Sequence, residues 1–149
     1  MSVSGDLLLP AVDAVNEPFW EGTRRGELRI QQCAETGRLI FPPRPVSPWS
    51  PHREPTWTRV SGRGTIWSFA VPHPPLLPHF AALAPYNVIL VALEEDPAVR
   101  LVGNLVTSAG GAINEVDPGS IAIGARVRVV FERLTDAIHL PRWVAIDGD

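Results

Sequence analysis

Cys33 is the only cysteine among 149 residues, and the chemistry of the chain starts there. It stands in Gln32-Cys33-Ala34-Glu35-Thr36-Gly37-Arg38-Leu39, which reads as a strand end, a tight glycine knuckle and a returning strand. Zinc ribbons use two such knuckles, each Cys-x-x-Cys, because two thiolates three residues apart grip one tetrahedral ion. Thr36 occupies the place of the second thiolate, and the later knuckle, Val46-Ser47-Pro48-Trp49-Ser50, carries serine at both ligand places. The ribbon spacing thus survives as Cys33, Thr36, Ser47 and Ser50, with one thiolate among them. Neutral hydroxyls are poor zinc ligands, and His52 does not replace three thiolates. The residues therefore predict no cofactor and no zinc, with the hairpin held by packing.

Other chemistry-bearing residues are scattered. His73 and His79 lie in a loop with five prolines from Pro72 to Pro85, which also carries Leu76, Leu77 and Phe80. Rigid scaffolds often place binding groups on such loops. A catalytic triad needs a nucleophile, a base and an orienting group, and no histidine lies near Cys33 in sequence. Tyr86 and Asn104 fall in predicted strands, where hydrogen bonding within the barrel accounts for them. No P-loop, dinucleotide fingerprint or HExxH occurs. The expected set of catalytic residues is empty.

The elements that position these residues form three segments. Residues 13–26 read as an N-terminal helix. Asp13 is placed as N-cap, and Val12, Val15, Phe19 and Trp20 make one apolar stripe. Pro18 would cost a hydrogen bond in mid-helix, so the helix starts later or kinks, and Gly26 ends it. Phe19 and Trp20 cover either the chain's own core or a partner's groove. Residues 27–55 read as a degenerate zinc-ribbon-like hairpin module. Leu28 to Gln32 and Leu39 to Phe41 are its strands, followed by a stiff connector with six prolines from Pro42 to Pro55. Residues 56–146 carry five strands, at Thr65–Val71, Tyr86–Leu93, Leu101–Val106, Arg126–Phe131 and Ile138–Ile146, with glycines for bends. The fold class is mainly β: a five-stranded OB-type barrel behind the helix and the ribbon-like hairpin. The tail after Ile146 reads as a frayed end.

Charge narrows the function. All 13 basic residues are arginine, and 16 acids leave a net charge of −3. Electrostatics give nucleic acid no general hold on such a chain, although Arg126 and Arg128 share an outer strand face. Leu7-Leu8-Leu9 is stopped by Pro10, with no basic residue before Arg24, so no secretory signal is read. The apolar run from Val88 to Leu93 falls far short of the roughly 20 residues of a membrane span. The expected location is the cytoplasm, with no membrane partner.

The combination of Phe19-Trp20-Glu21-Gly22, Gly26-Glu27-Leu28, Cys33-x-x-Thr36-Gly37-Arg38, Phe41-Pro42-Pro43-Arg44 and Val60-Ser61-Gly62-Arg63-Gly64-Thr65-Ile66-Trp67-Ser68 resembles the DUF35 family. Pro85-Tyr86, Asn104-Leu105-Val106, Ile123-Gly124 and Val129-Val130-Phe131-Glu132 continue the likeness. The family joins an N-terminal helix, a rubredoxin-like zinc ribbon and an acyl-CoA-associated OB fold, usually with four cysteines in the ribbon. The resemblance implies that residues 27–55 are a degenerate rubredoxin-like ribbon. The resemblance implies a non-catalytic accessory subunit of a hetero-oligomer. Its partner would be a thiolase-like acyl-CoA enzyme, foremost a retro-aldolase of steroid side-chain degradation or else an acyltransferase, with the acyl-CoA bound through the complex. Phe19 and Trp20 are then partner-binding candidates. His73, Leu76, Leu77, His79 and Phe80 are candidates for the wall of the substrate tunnel. An oligonucleotide-binding OB protein and an independent acyl-CoA enzyme are the alternatives from other classes.

Overall fold

Pro18 decides where the first helix begins. In the computed structural model, which describes residues 8–146, α1 spans Glu17–Arg24 with Pro18 in its first turn, where no N–H is missed. Asn16, not Asp13, is the N-cap residue, and its side chain makes no cap bond. The Asp13 carboxylate instead accepts from the N–H groups of Val15 (2.9 Å) and Asn16 (2.8 Å), one turn too early to cap the helix. Gly26 ends α1 at φ +74°, a conformation that suits glycine. Its N–H donates to the Thr23 carbonyl (3.1 Å), and the Glu27 N–H donates to that of Gly22 (2.9 Å).

Two sheets follow. β1 (Leu28–Gln32) pairs antiparallel with β2 (Leu39–Ile40) on one side and β3 (Thr56–Val60) on the other. β3 was not singled out among the strands expected from the sequence; it pairs with β1 along its whole length. The turn through Ser61 and Gly62 leads into the second sheet, made of β4 (Arg63–Ala70), β5 (Val88–Leu93), β6 (Arg100–Gly103), β7 (Arg126–Arg133) and β8 (His139–Ala145). Its order is β6-β5-β4-β7-β8, with every ladder antiparallel. The short helix α2 (Pro78–Ala81) lies in the proline-rich loop between β4 and β5. One core runs through both sheets, joining Phe19 and Trp20 of α1 to Leu28, Ile30, Val60, Ile66, Val91, Val127 and Trp143. Among the described residues no helix is long and apolar enough to cross a membrane. Leu7 and the tail after Ile146 lie outside the described residues.

The five-stranded sheet curls until its edge strands meet, which is the OB arrangement expected from the sequence. They meet just after β6 ends. A parallel bridge joins Leu105 to Trp143. The Trp143 N–H donates to the Asn104 carbonyl (3.1 Å), and the Val106 N–H donates to the Trp143 carbonyl (2.8 Å). Gly64 permits the curl at the other side of the barrel, since a Cβ there would sit 2.4 Å from the Ala92 carbonyl oxygen.

The bridge depends on Asn87, a fully buried polar side chain at the head of an apolar strand. Its carboxamide accepts from the Leu105 N–H (2.6 Å) and donates to the Leu105 carbonyl (2.9 Å), replacing a strand partner there. Asn104 returns the bond, donating to the Asn87 carbonyl at 2.6 Å. An orphaned buried group costs about 1–3 kcal/mol. Asn87→Ala orphans both groups of Leu105, so urea unfolding is expected to show a loss of about 2–5 kcal/mol. A loss below about 0.5 kcal/mol, the range of ordinary surface changes, would show that the seam closes without Asn87.

Candidate functional site

The barrel closes at one end only. Before the bridge, β6 and β8 diverge and leave a cleft of about 430 Å³ between Leu101 to Asn104 on one side and Leu140 to Trp143 on the other. Phe19, Trp20 and Phe41 wall one part of it, and Phe80, Tyr86 and Val88 another. Phe19 stands edge-on to Trp20 at 4.9 Å and tilted against Phe41 at 6.3 Å. Phe80 stands 5.8 Å from Tyr86. These rings make a largely apolar chamber that suits hydrocarbon.

Polar groups stand at one edge. The Arg142 side chain is largely buried, with Nε 2.9 Å from Glu132 Oε2 and a second hydrogen bond from its guanidinium to Asn104 Oδ1. Its charge is thus met within the chain. Trp143 lies flat on the backbone of β6, because Gly103 has no Cβ; one would sit 2.7 Å from the indole. The Trp143 indole N–H is buried without a hydrogen-bond partner among the described residues. The site can hold an apolar group and orient it. Among the described residues no hydrogen bond joins a histidine to a carboxylate or to Cys33.

The expected site residues are only partly brought together. Phe19 and Trp20 are each 8% exposed, so they belong to the core and show an edge to the cleft. Phe80 lines the cleft. Leu76 packs with Tyr86, Val106 and Val144 in a second small cluster. Leu77 and His73 are exposed, and His79 stands edge-on to Phe80 at 5.1 Å. Sequence reasoning missed Leu101, Leu140, Arg142 and Trp143 as cleft residues. The signal was weak: apolar side chains of two edge strands look like any barrel interior until the sheet is known to stay open.

The ribbon knuckles do come together. The Cys33 N–H donates to the Arg38 carbonyl (2.8 Å), and the Gly37 N–H donates to the Cys33 carbonyl (2.9 Å). The Thr36 N–H reaches Cys33 Sγ at 3.5 Å. Ser50 Oγ donates to Glu35 Oε2 at 2.5 Å, and Arg38 stacks on Trp49 at 4.1 Å, so the second knuckle is tied to the first. Cys33 and Ser47 are each 1% exposed. The Ser47 hydroxyl, and after it that of Thr36, hydrogen-bonds the sulfur and draws its pKa down to about 7 from 9.0. A pKa lowered on folding means that the thiolate is favoured in the native state. Its stabilisation is complete above pH 9.0 and lost as pH falls through about 7. In chelator-treated protein, the thermal midpoint of the native chain relative to Cys33→Ala is expected to rise between these two pH values. A flat difference would show that the hydroxyls do not hold a thiolate.

Residues 57–132 match the family described as ChsH2, C-terminal OB-fold domain, and residues 20–46 match ChsH2, rubredoxin-like zinc ribbon domain. The chain is 37% identical over 126 residues to the 3-oxo-4,17-pregnadiene-20-carboxyl-CoA hydratase alpha subunit of Mycobacterium tuberculosis, spanning 84% of this chain and 34% of that one. It is 33% identical over 114 residues to a DUF35 domain-containing scaffold protein of Methanothermobacter thermautotrophicus, spanning 76% and 77%. This chain thus spans about a third of the hydratase subunit and most of the scaffold protein. Among solved structures, a chain of the Ltp2-ChsH2(DUF35) aldolase superposes with TM-score 0.76 and 31% identity, covering 92% of this chain and 98% of that one. A DUF35 protein of unknown function from Sulfolobus solfataricus shares the fold at TM-score 0.56 and 11% identity.

The ribbon match corrects one expectation. The residues predicted no cofactor and no zinc, yet 20–46 match a family defined as a zinc ribbon, which positively indicates zinc binding by this module. The donors themselves are one thiolate and the hydroxyls of Thr36, Ser47 and Ser50, and among the described residues no three His, Cys, Asp or Glu gather around a common point. That set falls short of the four thiolate or imidazole ligands a structural zinc takes, so no chemistry is routed through a metal here. Helix, two-knuckle ribbon and half-open barrel follow one another in the order that the two matched domains and the aldolase chain share, and the chain belongs to the DUF35 family.

Proposed function

We propose that this chain is the non-catalytic scaffold subunit of a thiolase-like acyl-CoA enzyme, a retro-aldolase of steroid side-chain degradation, working as a hetero-oligomer in the cytoplasm. The observation that carries the reading is the superposition on the DUF35 chain of the Ltp2-ChsH2(DUF35) aldolase, which this chain covers almost end to end.

Chemistry links the aldolase to the hydratase relatives. Hydration of an enoyl thioester places a hydroxyl on the β-carbon. Retro-aldol cleavage needs that hydroxyl. Its proton passes to a base, the bond between the α- and β-carbons breaks, the β-carbon becomes a carbonyl, and the enolate of the shortened thioester takes up a proton. A scaffold module found beside a hydratase in one protein and an aldolase in another would serve consecutive steps on one substrate. In this reading the base and the proton donor belong to the partner. This chain contributes the apolar cleft and the loop from Pro72 to Pro85 as walls near the acyl group. Phe19 and Trp20 would act on the partner through the edges they turn to the cleft, and His73, Leu76, Leu77, His79 and Phe80 would shape the entrance.

The test is reconstitution with an Ltp2-type subunit and a 3-hydroxyacyl-CoA carrying a steroid side chain. Cleavage is expected from the mixture and not from this chain alone. His73→Ala and His79→Ala in the assembled complex are expected to change apparent KM or acyl preference, with kcat kept within about tenfold; loss of an acid–base catalyst typically costs 10²–10⁴-fold. A loss of that size in a complex that still assembles and binds substrate would place catalysis on this chain.

A further inference from the structure

We propose that the outer face of the barrel sheet, centred on Trp67, Arg100, Arg126 and Arg128, is the docking surface for an acidic face of the enzyme subunit; this rests on the scaffold reading above. Strand register sets the arrangement. Arg126 pairs with Thr65, Thr65 with Ala92, and Ala92 with Arg100, so these four lie in one row across β7, β4, β5 and β6. Directly paired residues share a face of the sheet. Arg128 and Arg63 pair one step along, two residues from that row on each strand and hence on the same face. Three strand spacings separate Arg126 from Arg100, about 14 Å.

The charges on this face are unevenly met. Arg63 is taken by Glu94 at 3.0 Å. Arg100, Arg126 and Arg128 have no carboxylate within 4.0 Å among the described residues, whereas Arg24, Arg25, Arg29, Arg59, Arg133 and Arg142 each have one. Arg38, Arg44 and Arg53 also lack one but lie in the ribbon and its connector, and Arg126 acts on Glu94 only at longer range. The three on the barrel are set apart by sharing one sheet face. Beside the row, Trp67 bulges out of the ladder between Ile66 and Ser68 and is 49% exposed. The Arg100 guanidinium stacks over its ring at 3.7 Å. Val102, on the same strand as Arg100, is 72% exposed and also lines the cleft, so a partner seated on this face reaches the cleft mouth.

Exposed Trp and Arg at the centre of a patch are the residue types that dominate interface energetics. Three unpaired cations select a partner that brings carboxylates. Single-stranded nucleic acid is the other polyanion such a face could draw, but it needs a series of free aromatic faces for successive bases. Here Trp67 stands beside that row with one ring face already covered by Arg100.

The test measures binding of the full chain to an Ltp2-type subunit at low and high salt. The wild-type affinity is expected to fall with salt. Arg126→Glu with Arg128→Glu is expected to weaken binding at least about tenfold and flatten the salt dependence, and Trp67→Ala to weaken it at least about tenfold. Arg126→Lys with Arg128→Lys keeps the charges and is expected to retain binding. Arg126 and Arg128 are exposed, so the thermal midpoint of the isolated arginine variants is expected to stay at the wild-type value, which separates docking from folding. Trp67 is half-buried under Arg100, so its variant is expected to melt lower and its binding is measured below its own midpoint. Variants that bind like wild type overturn the docking face while leaving the scaffold reading intact. Absence of wild-type binding overturns both. Tight binding of fluorescein-labelled oligothymidine, or a self-association, that the same substitutions abolish would assign the face to nucleic acid or to a second copy and overturn the proposal.

Discussion

The carboxamide of Asn87 is the constraint on which the site depends. A five-stranded sheet that curls brings its two edges together, and those edges carry backbone groups that must be met. Asn87 meets them for Leu105 and so anchors the chain after β6 against β8. Because that anchor acts at one point, the strands can part beyond it. The closed end is hydrogen-bonded and the open end holds the cleft. A barrel zipped along the whole seam would have no chamber, and one with no anchor would leave the segment after β6 unpaired as well.

Much of this fold was legible in the chain because strand periodicity is a local signal. Alternation at Arg126, Val127, Arg128 and Val129 and the apolar run of β5 reflect which faces are buried, and neither needs tertiary context. The start of α1 was less legible. Asp13 and Asn16 are both good capping residues, and the choice was made by Pro18, which fits only the first turn. β3 was missed as a separate strand because Thr56 to Val60 follows a proline-rich stretch and is only partly buried, so its alternation is blurred. Asn87 drew no reading from the sequence, since the meaning of a buried amide depends on the backbone group it faces, here 18 residues away.

The ribbon separates ancestry from chemistry. The family match rests on the pattern of knuckles, turn and strands, and that pattern is intact here. The thiolates that usually tie such knuckles together are reduced to Cys33. The knuckles are also joined by Ser50 on Glu35 and by Arg38 on Trp49. The donor types alone predict no zinc, and the match to a zinc-ribbon family overturns that expectation.

The arrangement also fits the proposed scaffold role of a chain whose described residues assemble no catalytic group. Apolar burial and charge are placed on different surfaces. The cleft holds rings and aliphatic side chains, and its cation, Arg142, is met by Glu132 and Asn104. The outer face of the sheet keeps three arginines unmet beside an exposed tryptophan. A cation left unpaired at a surface contributes little to folding, while it can steer and orient an acidic partner. A neutralised cation beside a cleft adds no unmet charge to a site built for hydrocarbon. Each placement would be poor if exchanged: free arginines around the cleft would lose hydration when an apolar group covered them, and a fully paired outer face would not discriminate between partners. The division fits the proposed scaffold role, in which the partner moves the protons.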